Sequence, residues 1–483
     1  MPVQRPEEEL EELRQEARLR TFAEEDVRAQ RTSVAKSSAM MSMATLFSRL
    51  TGFVRTWAMA FALGNTVFTS AYQVANTLPN TLYELVAGGI IATAFMPVLM
   101  SQKAAGGEKQ SHEYASNLLS LCIVALAILS IVFTFLAPQI VASQTFVNTD
   151  PEEVDLAVWF FRFFAVQILF YGIGAIISGM LNSQRRFLMP SLASVFNNLV
   201  VIITFFGFVP ISHIDAEAAK IWLAVGTTLG VAAQCFVQVP ILRKTHFHFH
   251  FHINLHDSAL SETAKLAIPA IIVSVINLVV VSIRNAFSLG VAANGPSTLA
   301  YAWIWFQFPY GVLAVALSTA MFTEMSECVA NHDDEGFRTN LKNGLQGTFF
   351  LIIPMSVMLF TCASLLVTLY HAGQFTDQDI ATVTQVLMWW AITLPLYAGF
   401  RYLHFSFSAR RELMYVAKVS IITSTIEVAL YALLSTGFGG WGGLGLIGIP
   451  IADGIFLVLS FTWLIIQMRR RVGPFGGGGI LKV

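Results

Sequence analysis

The chain has 483 residues, of which 55% are hydrophobic and only 12% are charged. Soluble globular proteins carry about 25% charged residues, so this composition excludes an ordinary soluble protein and predicts a membrane protein with many spans. The net charge of −1 excludes a strongly basic nucleic-acid binder, and the four widely separated cysteines match neither a disulfide framework nor a metal-ligand motif.

The first 36 residues are a charged segment without an apolar run, as in EEELEELRQEARLR. The lack of an apolar core excludes a cleaved secretory signal peptide. Apolar residues recur in this segment at a rough helical spacing, so we predict a solvated, cytoplasmic N-terminal extension over residues 1–36. Binding to a partner or to the membrane surface is the alternative role.

Apolar stretches long enough to cross a membrane follow from Ser37 onward. About 20 apolar residues suffice to cross a hydrocarbon layer about 30 Å thick. By this measure we predict an all-α polytopic membrane protein with about twelve transmembrane helices. The predicted spans are residues 38–62, 68–101, 114–143, 154–181, 188–210, 219–242, 263–290, 297–325, 343–371, 380–408, 414–437 and 443–468.

The charge of the loops predicts the orientation of the chain. With a cytoplasmic N-terminus, the predicted outer loops are acidic and contain one basic residue, Lys220, whereas the inner loops and tails are rich in lysine and arginine. Membrane proteins concentrate basic residues in their cytoplasmic loops. We therefore expect both termini to lie in the cytoplasm.

A weak internal repeat predicts two equivalent halves. Thr69–Tyr72 and Thr298–Tyr301 have similar sequences 229 residues apart, and each is followed by a proline, Pro79 or Pro309. We predict two pseudo-symmetric six-helix lobes around a central cavity, with the substrate site at their interface, as in transporters built by duplication. The predicted divisions are an N-lobe (37–243), a cytoplasmic inter-lobe loop (244–262), a C-lobe (263–468) and a cytoplasmic tail (469–483).

Two arginines of the first span are candidates for a substrate site. An arginine at the bilayer centre costs about 2.5–3.5 kcal/mol on insertion scales, so a charge there indicates a function. Arg49 and Arg55 lie on either side of Gly52 at helical spacing and project from one broad side of the helix. Such a pair can bind phosphate oxygens bidentately. The alternative is that Arg49 reaches toward the cytoplasm and only fixes the topology.

Few other charged residues lie inside the predicted spans. Arg284, on the seventh span, would point into the same cavity from the opposite lobe, and Glu84, on the second, is placed to pair with the first-span arginines. Glu427, with Thr423 one turn earlier, and Asp453 lie on adjacent late spans, where such oxygen ligands suit Na⁺ or a proton. A neutral carboxylic acid bonded to a neighbouring helix is the alternative for these acids.

Residues 246–252 read HFHFHFH and alternate histidine with phenylalanine. Alternation places the two residue types on opposite sides of a strand. We predict an interfacial strand with Phe247, Phe249 and Phe251 turned to the membrane, with a surface metal chelate as the alternative. No nucleotide-binding loop, zinc-protease helix or nucleophile elbow occurs. We therefore expect a transporter and not an enzyme, without a cofactor, that is driven by Na⁺, by protons or by the membrane potential.

A series of motifs runs in order along nearly the whole chain. The motifs are SRLTGFVR on the first span, LPNTLYELVAGGIIATAFMPVL (78–99), SGMLNSQRRFLMPSLASVFNN (178–198), FPYGVLAVALSTAMF (308–322), LYHAGQFTDQD (369–379), FSARRELMYVAKVSI (407–421) and GGLGLIGIPIADG (442–454). Together they resemble the MurJ (MviN) family of lipid II flippases, which belongs to the multidrug/oligosaccharidyl-lipid/polysaccharide exporter superfamily. The resemblance implies two six-helix lobes around a cationic cavity.

The resemblance also implies which residues bind the substrate. Arg49 and Arg55 match arginines of the family's cavity, and Asn80 matches the asparagine of its Pro-Asn pair. The predicted substrate-binding residues are Arg49, Arg55, Asn76, Asn80, Glu84, Arg284 and Gln307, and the predicted cation-coupling residues are Thr423, Glu427 and Asp453.

The implied function is transport of lipid II, an undecaprenyl-diphosphate-linked peptidoglycan precursor, from the inner to the outer leaflet of the bacterial cytoplasmic membrane by alternating access. Its expected partners are this lipid or a related polyprenyl-diphosphate glycan, membrane lipids and cell-wall synthesis proteins. The chain departs from the family at Ser70, where the family has an aspartate, and at Trp303 and Ile304, where it has an Asp-Arg pair. Alternatives are a flippase for another polyprenyl-linked glycan, a cation-coupled drug exporter, or a non-transporting scaffold paralogue.

Overall fold

The computed structural model describes residues 43–44, 46–84, 94–147, 150–184, 186–245, 247–437 and 441–474. The predicted extension, residues 1–36, and the tail from residue 475 onward lie outside this description. The regular elements of the described chain are helices, which confirms the predicted all-α class.

The helices fall into two series separated by a linker. The first series is α1 (46–63), α2 (Val67–Glu84), α3 (Met96–Phe135), α4 (Ala137–Thr145), α5 (Pro151–Phe164), α6 (Gln167–Ser183), α7 (Leu188–Ser212), α8 (Ala216–Phe236) and α9 (Val239–Arg243). The second is α10 (Ser258–Val291), α11 (Gly295–Pro309), α12 (Val315–Ala330), α13 (Asp334–Thr361), α14 (Ala363–Thr368), α15 (Asp377–Ala409), α16 (Leu413–Tyr431) and α17 (Gly448–Val472). A π-helical turn, Tyr310–Ala314, joins α11 to α12, and a second, Ala432–Thr436, follows α16.

Several helices begin at a residue whose side chain caps the first turn. The carboxylates of Asp150, Asp215 and Asp257 each accept a backbone N–H from the first turn of the helix that follows. Thr376 and Asp379 form a reciprocal capping box at the start of α15. Such caps satisfy backbone donors that have no partner within the helix, so the chain turns at these residues.

The helices account for the predicted spans. Among the described residues, nine helices are long and apolar enough to cross a membrane, and ten are if α5 and α6, which meet at a 40° bend, count as one span. α1 and α2 occupy the places of the first two predicted spans but are not among these ten.

The boundary between the second and third predicted spans lies inside α3. Gly106 and Gly107 leave the helical conformation, and Gly107 has a φ of 70°. That conformation is freely accessible to glycine and strained for other residues. α3 is therefore two helical segments that change direction at the predicted inner loop.

The predicted strand over residues 246–252 is wrong. Residues 247–254 form neither helix nor strand, and His246 lies outside the described residues. A strand needs a neighbouring backbone to complete its ladder, whereas here the backbone N–H groups of His252 and Asn254 donate to side chains of α3. The C-lobe helix α10 also begins before the predicted boundary at 263, because Asp257 caps it at Ser258.

The helices pack as two lobes, as predicted. In the first lobe α2 packs on α5, α3 on α6, and α7 on α8; in the second, α15 packs on α13 and α17, and α16 on α17. The lobes meet where α10 contacts α2, α3 and α4 and where α11 contacts α2. One continuous buried cluster includes Tyr72 and Phe160 of the first lobe and Tyr301 and Trp390 of the second, so the lobes are closed against each other over part of their length.

Candidate functional site

The lobes are joined at one end by a buried set of hydrogen bonds, here called the closed end. The Asn65 amide, in the α1–α2 turn, donates to the Thr298 hydroxyl at 2.8 Å and accepts from the Ser297 hydroxyl at 2.5 Å. Asn294 donates to the Asn65 backbone oxygen at 3.3 Å, and the Tyr301 hydroxyl donates to the Gly64 backbone oxygen at 2.8 Å. These bonds cross from one lobe to the other and exist only while the lobes are together at this end.

The closed end is built from the internal repeat. Asn65 and Asn294 are 229 residues apart, the same separation as the two repeated segments. Ser70 of α2 also donates across the lobes, to Ser297 at 3.2 Å. The loop after α14 completes the contact, since Leu369 accepts a hydrogen bond from Trp57 at 2.9 Å through its backbone oxygen.

Arg49 of the first lobe lies against the π-helical turn Tyr310–Ala314 of the second lobe, and this contact between the lobes is here called the seam. A Cβ built on Gly311, in the π-helical turn of the second lobe, would come 3.3 Å from Arg49 Nε and 3.4 Å from its Cζ. Glycine at this position therefore leaves room for the guanidinium. Arg49 is exposed, and no carboxylate pairs with it or with Arg55 among the residues whose side chains are described. Two cations without such partners suit an anionic ligand.

A further arginine reaches the same turn. Arg401 Nε of α15 donates to the Tyr310 hydroxyl at 3.5 Å, and Tyr310 immediately precedes Gly311. From the sequence, Arg401 resembles an interfacial anchor at the end of its span. The contact with Tyr310 places it beside the turn that receives Arg49, so the seam carries positive charge from both lobes.

The predicted polar residues of α2 differ in their surroundings. Asn76 is buried, and its Oδ1 has no hydrogen-bond partner among the described residues. Asn80 Oδ1 accepts from the Tyr171 hydroxyl at 3.0 Å. Glu84 ends α2, and its side chain is outside the described part. Gln307 is partly buried one helical turn before Gly311.

The second lobe contains a buried acid pair, formed by Glu427 of α16 and Asp453 of α17. The Tyr431 hydroxyl lies 3.1 Å from Glu427 Oε1 and also contacts Asp453 Oδ1. The Trp390 indole donates to Asp453 Oδ2 at 2.7 Å. A hydroxyl has one proton and cannot donate to two carboxylates at once. The arrangement is satisfied when a proton resides on one of the acids.

The other predicted residues of the second lobe, Arg284 and Thr423, have different surroundings. Arg284 interacts electrostatically with Glu427, and its guanidinium carbon lies 5.6 Å from the centre of the Trp303 ring. Thr423 instead accepts a hydrogen bond from Ser460 at 2.9 Å and donates to a backbone oxygen of its own helix. Within the described ranges no group of three or more His, Cys, Asp or Glu residues is arranged to hold a metal ion.

The sequence analysis did not predict two groups of residues at these sites. Tyr431 follows Glu427 by one helical turn, and that spacing is a usable signal for a shared site. Asn65 and Asn294 share the repeat spacing and were detectable in the same way. No sequence signal indicates that Trp390 or Arg401 reaches its partner, because both contacts join distant parts of the chain.

Known proteins give a consistent result. The family model described as lipid II flippase MurJ matches residues 59–483. A relative from Buchnera aphidicola subsp. Acyrthosiphon pisum (strain APS), named probable lipid II flippase MurJ, is 28% identical over 394 residues, which cover 81% of this chain and 76% of the relative.

Two solved structures share the fold. One, titled lipid II flippase MurJ in an inward closed conformation, has a TM-score of 0.75 and 21% identity and covers 89% of this chain and 87% of its own. The other, titled an inward-facing conformation of a multidrug resistance MATE family transporter of the MOP superfamily, has a TM-score of 0.76 and 13% identity and covers 90% and 98%. These likenesses support the two-lobe architecture.

Proposed function

Because this chain belongs to the lipid II flippase MurJ family, we propose that it moves lipid II from the inner to the outer leaflet of the bacterial cytoplasmic membrane by alternating access. The observation that carries the proposal is the arginine seam, in which Arg49 of one lobe sits against Gly311 of the other and Arg401 reaches the adjoining Tyr310. A diphosphate is a compact, doubly charged group that such a seam can bind from both sides.

Arginine is suited to this role for physical reasons. Its planar guanidinium stays protonated and binds two phosphate oxygens at once, and it is more weakly hydrated than the ammonium of lysine. In the proposed cycle Arg49, Arg55 and Arg401 bind the diphosphate after it enters from the end opposite the closed end. Asn76 Oδ1, which is buried without a partner, accepts a hydrogen bond from the sugar. The polyprenyl tail stays in the surrounding lipid.

Binding at the seam drives the change of access. A ligand shifts a two-state equilibrium only by binding one state more tightly. A diphosphate held by both lobes favours the state in which the seam is tightest, and tightening there requires the opposite, closed end to separate. The bonds of Asn65 and Tyr301 across the closed end are then broken, and the headgroup is released on that side.

The acid pair of the second lobe is the proposed coupling site. Glu427 and Asp453 share one hydroxyl donor, Tyr431, and are satisfied when they hold one proton between them. A proton is therefore favoured over Na⁺ as the coupling ion, because one proton satisfies the pair. The membrane potential acting on the seam arginines is an additional driving force, worth about 2.3 kcal/mol per charge per 100 mV.

The orientation is proposed from charge. The linker end of the bundle, with Arg243 and Lys244, faces the cytoplasm, and the closed end faces outward. Both termini are then cytoplasmic, and cell-wall synthesis proteins are the expected protein partners.

The test is outer-leaflet exposure of lipid II in cells depleted of their own flippase. These cells express the parent chain, Arg49→Ala, Arg55→Ala or Arg401→Ala, at matched membrane levels. Arg162→Ala is the matched control, because Arg162 is an exposed arginine near the end of α5. We expect exposure with the parent and the control and its loss in the Arg49, Arg55 and Arg401 variants.

Either of two results would replace the proposed function by another one. If the inserted parent exposes no lipid II but exposes another polyprenyl-linked glycan, the family fold serves that substrate. If neither lipid is exposed and the three arginine variants support growth as well as the parent does, the chain is a scaffold that does not transport.

A further inference from the structure

The linker between the lobes, residues 247–257, carries a row of exposed apolar side chains that transport does not explain. The side chains of Phe249, Phe251, Ile253 and Leu255 are 44%, 61%, 41% and 68% exposed. They occupy alternate positions, and the residues between them are histidine or asparagine. The linker therefore separates apolar from polar side chains although it is not a strand.

The two sides of the linker are distinct. The rings of His250 and His252 stack with their centres 4.7 Å apart and their planes 9° apart, so these alternate positions share one side. Phe247, at the start of the apolar series, is buried against the first lobe and meets the His112 ring edge-on at 5.3 Å. The apolar side chains that follow Phe247 in the row are exposed.

Hydrogen bonds to α3 hold the linker in this arrangement. Asn117 accepts from the Asn254 N–H at 2.8 Å and donates to its carbonyl at 3.1 Å, and the His252 N–H donates to Ser120 at 3.2 Å. The Tyr114 hydroxyl bonds Thr263 of α10 at 2.6 Å. With the linker bonded in this way the four apolar side chains stay exposed, and nothing in the described part of the chain covers them.

The same bonds fix the depth of the linker in the membrane. Asn117 and Ser120 lie at the start of the apolar run of α3, residues 118–135. At about 1.5 Å per residue this run is about 27 Å long, close to the hydrocarbon thickness of about 30 Å. The linker therefore lies where the hydrocarbon meets the headgroups. Arg243 and Lys244, both exposed, precede it and suit an anionic leaflet surface.

We propose that residues 249–255 are a membrane-surface anchor whose apolar row inserts into the adjoining phospholipid leaflet. A leaflet is the partner whose apolar layer begins at the depth of this linker, and aromatic side chains are favoured at that boundary. The histidine side faces the headgroups. The anchor holds the connection between the lobes at the membrane surface, so that the lobes move relative to a fixed hinge. The inference is independent of the transported substrate.

Photocrosslinking of the full chain tests this assignment. The variants Phe249→p-benzoylphenylalanine and Phe251→p-benzoylphenylalanine preserve an aromatic side chain, and His250→p-benzoylphenylalanine is the matched control on the opposite side. Each is purified into nanodiscs of phosphatidylethanolamine and phosphatidylglycerol, irradiated and examined by mass spectrometry for lipid adducts. Monodisperse protein in size-exclusion chromatography is required of all three.

We expect acyl-chain adducts at 249 and 251 in several-fold excess over 250. Equal adduct yields at all three positions, adducts to protein only at 249 and 251, or no adduct at either position would each overturn the anchor. Nitroxide labels at 251 and 250 provide a second measurement in which the side chain is small. The label at 251 should be more accessible to molecular oxygen, which concentrates in the hydrocarbon, and the label at 250 should be more accessible to a water-soluble nickel chelate. The reverse order would also overturn the proposed anchor.

Discussion

Replacing Asn65 by alanine should open the closed end of the molecule. The Asn65 side chain makes two buried bonds to the opposite lobe, to Thr298 at 2.8 Å and from Ser297 at 2.5 Å. A net contribution of about 0.5–1.5 kcal/mol for each bond gives about 1–3 kcal/mol for the pair. In the open state water forms hydrogen bonds with the same groups, so the substitution destabilises only the closed state. The ratio of open to closed molecules should rise about 5- to 150-fold.

The opening is measurable as a distance between the lobes. Ile214, in the α7–α8 turn, and Leu365, in α14, are 87% and 71% exposed and carry spin labels without disturbing the core. The four native cysteines are first replaced by alanine, and double electron–electron resonance is recorded in nanodiscs. We expect Asn65→Ala to transfer population to longer distances.

The control for this experiment is Asn294→Ala. Its amide donates one bond across the lobes, at 3.3 Å to the Asn65 backbone oxygen, so its effect should be smaller. An unchanged distance distribution for Asn65→Ala, or a shift no larger than that of Asn294→Ala, would refute the view that the Asn65 side chain holds this end closed.

Three further variants test the seam and the acid pair. Gly311→Leu fills the space in which a Cβ alone comes 3.3 Å from Arg49 Nε, so we expect lipid II exposure to fall as far as the fall we predict for Arg49→Ala; parental exposure would contradict the proposed contact of Arg49 with Gly311. Glu427→Gln keeps a polar side chain of similar size but removes an ionisable group, so proteoliposomes should lose stimulation by a pH gradient, and retained stimulation would exclude this acid from coupling. Trp390→Phe removes the 2.7 Å donor to Asp453. Hydrogen bonds to charged groups contribute about 1.5–3 kcal/mol, so the thermal midpoint should fall, and an unchanged midpoint would show that this bond adds no stability.

Apolar length and internal repetition are properties of the linear sequence, and they predicted much of the architecture. Nine apolar helices among the described residues, or ten if α5 and α6 count as one span, each match one of the twelve predicted segments, and the repeat around Thr69 and Thr298 predicted the two lobes. The same reasoning failed for residues 246–252, because alternation gives side chains two sides but does not supply the neighbouring backbone that a strand needs.

The predicted site residues show the limit of reasoning from position along a helix. Arg284 is predicted to point into the central cavity from the second lobe, and its guanidinium lies over the Trp303 ring of that lobe. Position on a helix specifies a face, whereas the neighbours of that face depend on how the helices cross. Arg401 became part of the candidate site only through Tyr310.

The sequence by itself determined that this protein is a helical membrane protein of two repeated lobes, because hydrophobic length and repetition do not depend on which helix packs against which. The tertiary structure decided which end is closed, which arginines reach the seam, and that Glu427 and Asp453 share Tyr431. Those contacts join residues up to more than two hundred positions apart. Hydrogen bonds act over about 3 Å, so only the packed chain brings their partners within reach.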